Sequence, residues 1–99
     1  MATKITPPKS LGTDGRKLWA ELRREYEITD AGSLAILRSM CESVDRLNQC
    51  REAVARDGLV VAGSGGQPRP HPLLQVEAEA RRALLAHSRA LRLDLSGDF

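Results

Sequence analysis

Cys41, Cys50, His71 and His87 are the thiols and imidazoles of this chain, and a metal centre would have to draw on them. A structural zinc site needs such ligands clustered at coordinating spacing. No pair among these four has it. The expectation is two small core thiols and two unrelated histidines, with no metal. His87 falls on an apolar helical stripe, where a partly buried, hydrogen-bonded imidazole is expected. His71 stands where a helix begins. Nucleophilic and acid–base chemistry find no better footing. Ser10, Ser33, Ser39, Ser43, Ser64, Ser88 and Ser96 sit in no nucleophile motif. Glu77 and Glu79 are two apart on a helical segment, so they point to different faces and make a poor acid–base pair. The Gly63–Gly66 cluster lacks the following Lys-Ser or Lys-Thr of a phosphate loop. It reads as a flexible turn. Neither an enzyme nor a cofactor is expected.

Cations remain. Lys4 and Lys9 lie in a stretch of nine residues without an acid, and Lys17 and Arg24 stand seven apart on a predicted helix. Phosphate contacts require only cations and donors at the right places. These four are the candidate DNA-binding residues. Ordinary solvated charge, partly neutralised by Glu21, Glu25 and Glu27, accounts for the same pattern. Overall charge does not separate the two readings, since 15 basic residues face 13 acidic ones for a net charge of +2.

The elements that would hold these residues follow from periodicity. Residues 1–12 read as a flexible N-terminal arm, because Pro7-Pro8 resists helix formation. Thr13 or Asp14 is placed to cap a first helix. Along it Leu18, Trp19, Leu22 and Tyr26 make one apolar face, with Lys17 and Arg24 opposite. Asp30 caps a long second helix that runs to Asp57 and stops at Gly58. Its apolar residues, Leu37, Val44 and Leu47 among them, cover half the circumference or more. Two readings fit that breadth: the flanking helices cover it all, or part of it meets a second subunit. Leu37, Val44 and Leu47 are therefore core or oligomer-contact residues. Leu59 to Ala62 is too short for a helix and too apolar for a free loop. It could pair with a return limb near Gln67 to His71, but the prolines there argue against a regular strand. An irregular or β-like excursion is expected. A third helix runs from about Pro72 to Leu93, and residues 94–99 form a tail. The fold class is mainly α: a small three-helix domain over residues 13–93, with a long central helix and the excursion between helices two and three.

Ninety-nine residues make one small domain, marginal alone, for which oligomerisation is a usual remedy. Cys41 and Cys50 on one helix are roughly 13 Å apart along its axis, too far for a disulfide. Reduced thiols fit a cytosolic protein. No charged-then-apolar leader opens the chain and no run of about 20 apolar residues occurs, so neither secretion nor membrane insertion is expected.

The order of these segments resembles the short helical family of phage terminase small subunits. The resemblance rests on Gly15-Arg16-Lys17-Leu18-Trp19, on the Leu-rich helix headed by Asp30 and containing Cys41, and on the stop Asp57-Gly58-Leu59-Val60-Val61. It continues through the Gly-containing turn into His71-Pro72-Leu73, where the family often has Asn-Pro, and ends in Leu84-Leu85 to Leu91. It covers most of residues 11–93. The N-terminal arm is shorter than in many members, and the Gly-Leu, Pro and basic segment that often follow helix three are replaced by Leu91 to Phe99. The resemblance implies a non-catalytic packaging factor that recognises phage double-stranded DNA. Such subunits assemble as homo-oligomeric rings and deliver DNA to the terminase large subunit, which holds the ATPase and nuclease activities. It also implies work in the cytoplasm of the infected bacterial host, and no place in the mature virion. A small helical DNA-binding transcription regulator and a purely structural interaction protein are the competing classes.

Overall fold

The computed structural model describes residues 5–93. Three helices, α1 (Thr13–Glu25), α2 (Ala31–Asp57) and α3 (Leu73–Ala90), surround one core. A small hairpin of β1 (Val60–Ala62) and β2 (Pro68–Pro70) joins α2 to α3. The 27 residues of α2 make an axis of about 40 Å against which both other helices pack. Leu37, Met40, Cys41 and Leu47 of α2 and Leu84 of α3 are all but fully buried. Trp19 and Leu22 close the cluster from α1, and Ile28 closes it from the link. Removing each large apolar side chain from water contributes roughly 1.5–3 kcal/mol. The wide apolar arc of α2 is thus covered, over Leu37, Val44 and Leu47, within a single chain.

Helix α1 begins differently from expectation. Neither Thr13 nor Asp14 caps it; the N-cap is Gly12, with no side-chain bond of its own. Asp45, from the middle of α2, supplies the cap. Its carboxylate accepts from the Gly12 N–H at 2.7 Å and from the Gly15 N–H at 2.8 Å. Two free donors of the first turn are satisfied, and an anion sits at the positive end of the helix. The approach is close enough to require glycine: a Cβ on Gly15 would come within 2.9 Å of the Cys41 carbonyl oxygen. Asn48 adds a bond to Asp14 at 2.8 Å. Residues preceding α1 are tied to it as well. Leu11 is buried, and Ile5 packs against the core.

Helix α2 begins as expected, with the Asp30 carboxylate accepting from the Ser33 N–H at 2.9 Å. It ends at Gly58, whose φ of 88° is a left-handed conformation. The chain then forms a regular antiparallel hairpin in the register Val60 with Pro70, Val61 with Arg69 and Ala62 with Pro68. The prolines did not prevent pairing, because they occupy positions that need no donor. The His71 N–H bonds the Leu59 carbonyl at 2.8 Å, and the Gly63 N–H bonds the Gln67 carbonyl at 2.7 Å. Hydrogen-bonded pairs alternate along an antiparallel ladder, so Pro68 and Pro70 fall between them with their nitrogens turned outward. Gly66, at φ 81°, turns the loop back.

His71 joins three elements. It is buried, its Nε2 lies 3.0 Å from the Asp57 carboxylate, and its Nδ1 accepts from the Leu73 N–H at 3.0 Å. An accepting Nδ1 leaves the proton on Nε2, which donates to Asp57. The imidazole therefore pins the end of α2, the end of the hairpin and the first turn of α3 together. Hydrogen bonds from Arg56, and then from His71, hold the Asp57 carboxyl at about 2, so it is ionised throughout the neutral range.

Helix α3 ends at Ala90 rather than near Leu93. Arg92 adopts φ 57°, its N–H bonds the Arg89 carbonyl at 3.0 Å, and the Leu93 N–H bonds the Ser88 carbonyl at 2.9 Å. That pair of bonds is a Schellman stop, with arginine in the left-handed position where glycine is usual.

Candidate nucleic-acid interface

Four cations on α1 divide by the direction in which the helix turns them. Arg16 and Arg23 fold back onto main-chain carbonyls. Arg16 donates from Nε to Leu11 at 2.9 Å and from its terminal nitrogen to Lys9 at 3.1 Å. Arg23 donates to Ile28 at 3.2 Å and to Ile5 at 3.3 Å. The two guanidiniums clip the preceding segment and the following link to the helix, and their donors are directed inward. Lys17 and Arg24 point outward and are exposed. Among the described residues neither makes an ion pair or a side-chain hydrogen bond.

The exposed surface of α1 is segregated by charge. Thr13, Lys17, Ala20 and Arg24 follow one another at three- and four-residue steps and form a single stripe along the helix. Asp14, Glu21 and Glu25 run along the flank on one side of it, and Arg16 and Arg23 on the other. Ala20 keeps the middle of the stripe low, so a polyanion can reach both cations. Lys9 is exposed in the segment whose backbone Arg16 holds against α1. Lys4 lies outside the described residues. Helical spacing alone sets Lys17 and Arg24 apart from the buried face. Nothing in the spacing marks Arg16 and Arg23 as clips, because their acceptors are backbone carbonyls, which carry no residue signature.

Leu37, Val44 and Leu47 are 0, 7 and 1% exposed and belong to the core cluster of one chain. The cysteines are free and buried. Burial, reinforced by Asp45 and Glu42, pushes the Cys41 thiol up to about 12, so it stays protonated and unreactive in the folded chain. On the far side of α2 an open groove of about 330 Å³ runs against α3, bordered by Ser39, Ser43, Arg46, Ala83 and His87. His87 is partly buried there, but its Nδ1 has no hydrogen-bond partner among the described residues, contrary to the expected bonding. No group of three or more His, Cys, Asp or Glu side chains converges among the described residues.

The arrangement offers a rigid helix with a cationic stripe and no assembled reaction centre among the described residues. A family model described as phage terminase, small subunit, matches residues 16–97, a span that includes most of α1 and the whole of α2, the hairpin and α3. Comparisons with curated proteins and with solved structures gave no match. Terminase small subunits are generally non-catalytic. With more than half of its length matched in this way, the chain belongs to the family of phage terminase small subunits.

Proposed function

We propose that this chain binds phage double-stranded DNA through the outward stripe of α1 and presents it to the terminase large subunit. In this reading it acts as a homo-oligomeric ring in the cytoplasm of the infected host. The family match over residues 16–97 carries the proposal. The stripe supplies a physical means: Lys17 and Arg24 are exposed on a helix whose position Asp45 and Trp19 fix from the inside. Phosphates need nothing more elaborate than cations held in register. Lys9, beside the head of α1, extends the same surface, and Lys4 is assigned to it on charge alone. No helix among the described residues is long and apolar enough to cross a membrane.

The test is a DNA titration at several salt concentrations with wild-type chain and with Lys17→Ala/Arg24→Ala. Both positions lie outside the core, so the variant keeps its helical spectrum. Two lost phosphate contacts weaken binding and make the log–log salt slope shallower by about 1.8. Unchanged affinity and slope would remove both residues from the interface.

A further inference from the structure

Two successive large apolar residues are in the open where β1 begins, one on each face of the hairpin: Leu59 is 64% exposed and Val60 61%. The hairpin that carries them has two outer edges, and its register decides what each edge offers. The pairs 59/71 and 63/67 are hydrogen-bonded, which makes 61/69 the inward pair between them. Residues 60, 62, 68 and 70 therefore turn their main-chain groups outward. On β2 both outward positions are proline and offer no donor. On β1 they are Val60 and Ala62, each with an N–H and a carbonyl available to another strand. The hairpin is closed along one edge and open along the other, and the exposed apolar pair lies at the open edge.

We infer that β1 pairs antiparallel with β1 of a second copy of this chain, forming a four-stranded sheet whose outer edges are the two proline strands. Three observations select a second copy. The run from Gly58 to Ser64 contains no charge, so setting it against itself opposes no like charges. Its outward groups are self-complementary: a two-fold axis at Val61 sets Val60 of one copy opposite Ala62 of the other, twice. The proline edges stop the sheet at four strands, where a donor-bearing β2 would let copies add without limit. Such a contact is isologous and joins copies in pairs; it does not close a ring by itself. A ring of the kind proposed above would use another surface in addition, and the complete assembly would then hold an even number of chains. The inference does not depend on DNA binding.

The experiment is sedimentation of the full chain without DNA over a range of concentrations, comparing wild type with Val60→Pro. Proline at position 60 sits opposite Pro70, at a position where the hairpin needs no donor, so the inner ladder survives. The expected result is an even-numbered wild-type species that falls to half its mass or less in the variant, with helical spectrum retained. A wild-type monomer at all concentrations, or an unchanged mass in Val60→Pro, overturns the inference. A second variant decides the matter if Val60→Pro misfolds. The two-fold axis places Val61 against its own counterpart, at the Cα separation of about 4.5 Å typical of a non-hydrogen-bonded pair. Oxidised Val61→Cys should then run as a covalent dimer, since Cys41 and Cys50 are buried and do not compete; failure to cross-link overturns the pairing. Loss of DNA binding in Lys17→Ala/Arg24→Ala would leave these outcomes untouched, and the reverse also holds.

Discussion

Asp45 shows how one side chain on a central helix can determine where another helix starts. Its two oxygens take the N–H groups of Gly12 and Gly15, and the absence of a side chain on Gly15 is what allows that approach. A local cap from Thr13 or Asp14 would have left α1 complete but free to choose its partner. A cap from α2 makes the first turn of α1 conditional on docking. Asp45→Ala removes both bonds, leaves the part-buried Gly15 N–H without a partner and turns the exposed Gly12 N–H to water, so it should cost about 1–2 kcal/mol. Urea unfolding followed by circular dichroism measures this as a lower midpoint at unchanged slope. A change within experimental error would mean that water caps the helix equally well. The contact was not legible in the sequence, because Asp45 lies some thirty residues from the donors it serves. Asp30 was legible, because it caps the helix that follows it directly. Outward Lys17 and Arg24 were legible too, since helical spacing alone separates them from Leu18, Trp19 and Leu22.

At the scale of elements, the boundaries that periodicity predicts hold where a local signal marks them and shift where it is missing. Gly58 announces the end of α2, and the structure ends it there. Nothing announces the end of α3. Leu91 and Leu93 continue the apolar pattern, and both pack against the core, yet the helix stops at Ala90. The reason is the left-handed Arg92, which the bonds from Leu93 to Ser88 and from Arg92 to Arg89 hold in place. A side chain in that conformation costs about 1 kcal/mol or more relative to glycine. Arg92→Gly should therefore raise stability by about 0.5–1 kcal/mol, read as a higher unfolding midpoint with the same helical content. A destabilised variant would show that the arginine side chain makes a compensating contact. The hairpin illustrates the opposite difficulty. Its prolines look like strand breakers in sequence, and only the register reveals that both stand where no donor is required.

At the scale of the whole molecule, one core serves every surface. The α1 stripe, the β1 edge and the α2–α3 groove lie on separate elements; α1 and α3 are positioned by packing on α2, and the hairpin is tied to the end of α2 by the bond between His71 and Asp57. Changes confined to a surface should act alone, whereas a change in the shared core should act on all three together. Val44 is the sharpest place to test this. It is 7% exposed, and it belongs to the cluster that joins α1, α2 and α3. A glutamate there would bury an unpaired charge at a cost of several kcal/mol. A domain of this size has about 5–15 kcal/mol to lose in total. Val44→Glu should consequently abolish the helical spectrum, and DNA binding and assembly with it. Val44→Ala removes volume without adding charge. It should stay helical with a lowered midpoint and keep its DNA affinity and its mass, because the exposed stripe and the hairpin edge are unaltered. If Val44→Glu instead stayed fully helical and only dissociated, Val44 would face another chain, and the broad apolar arc of α2 would be shared between subunits. The pair of variants thus separates a core that belongs to one chain from a core completed by its neighbour.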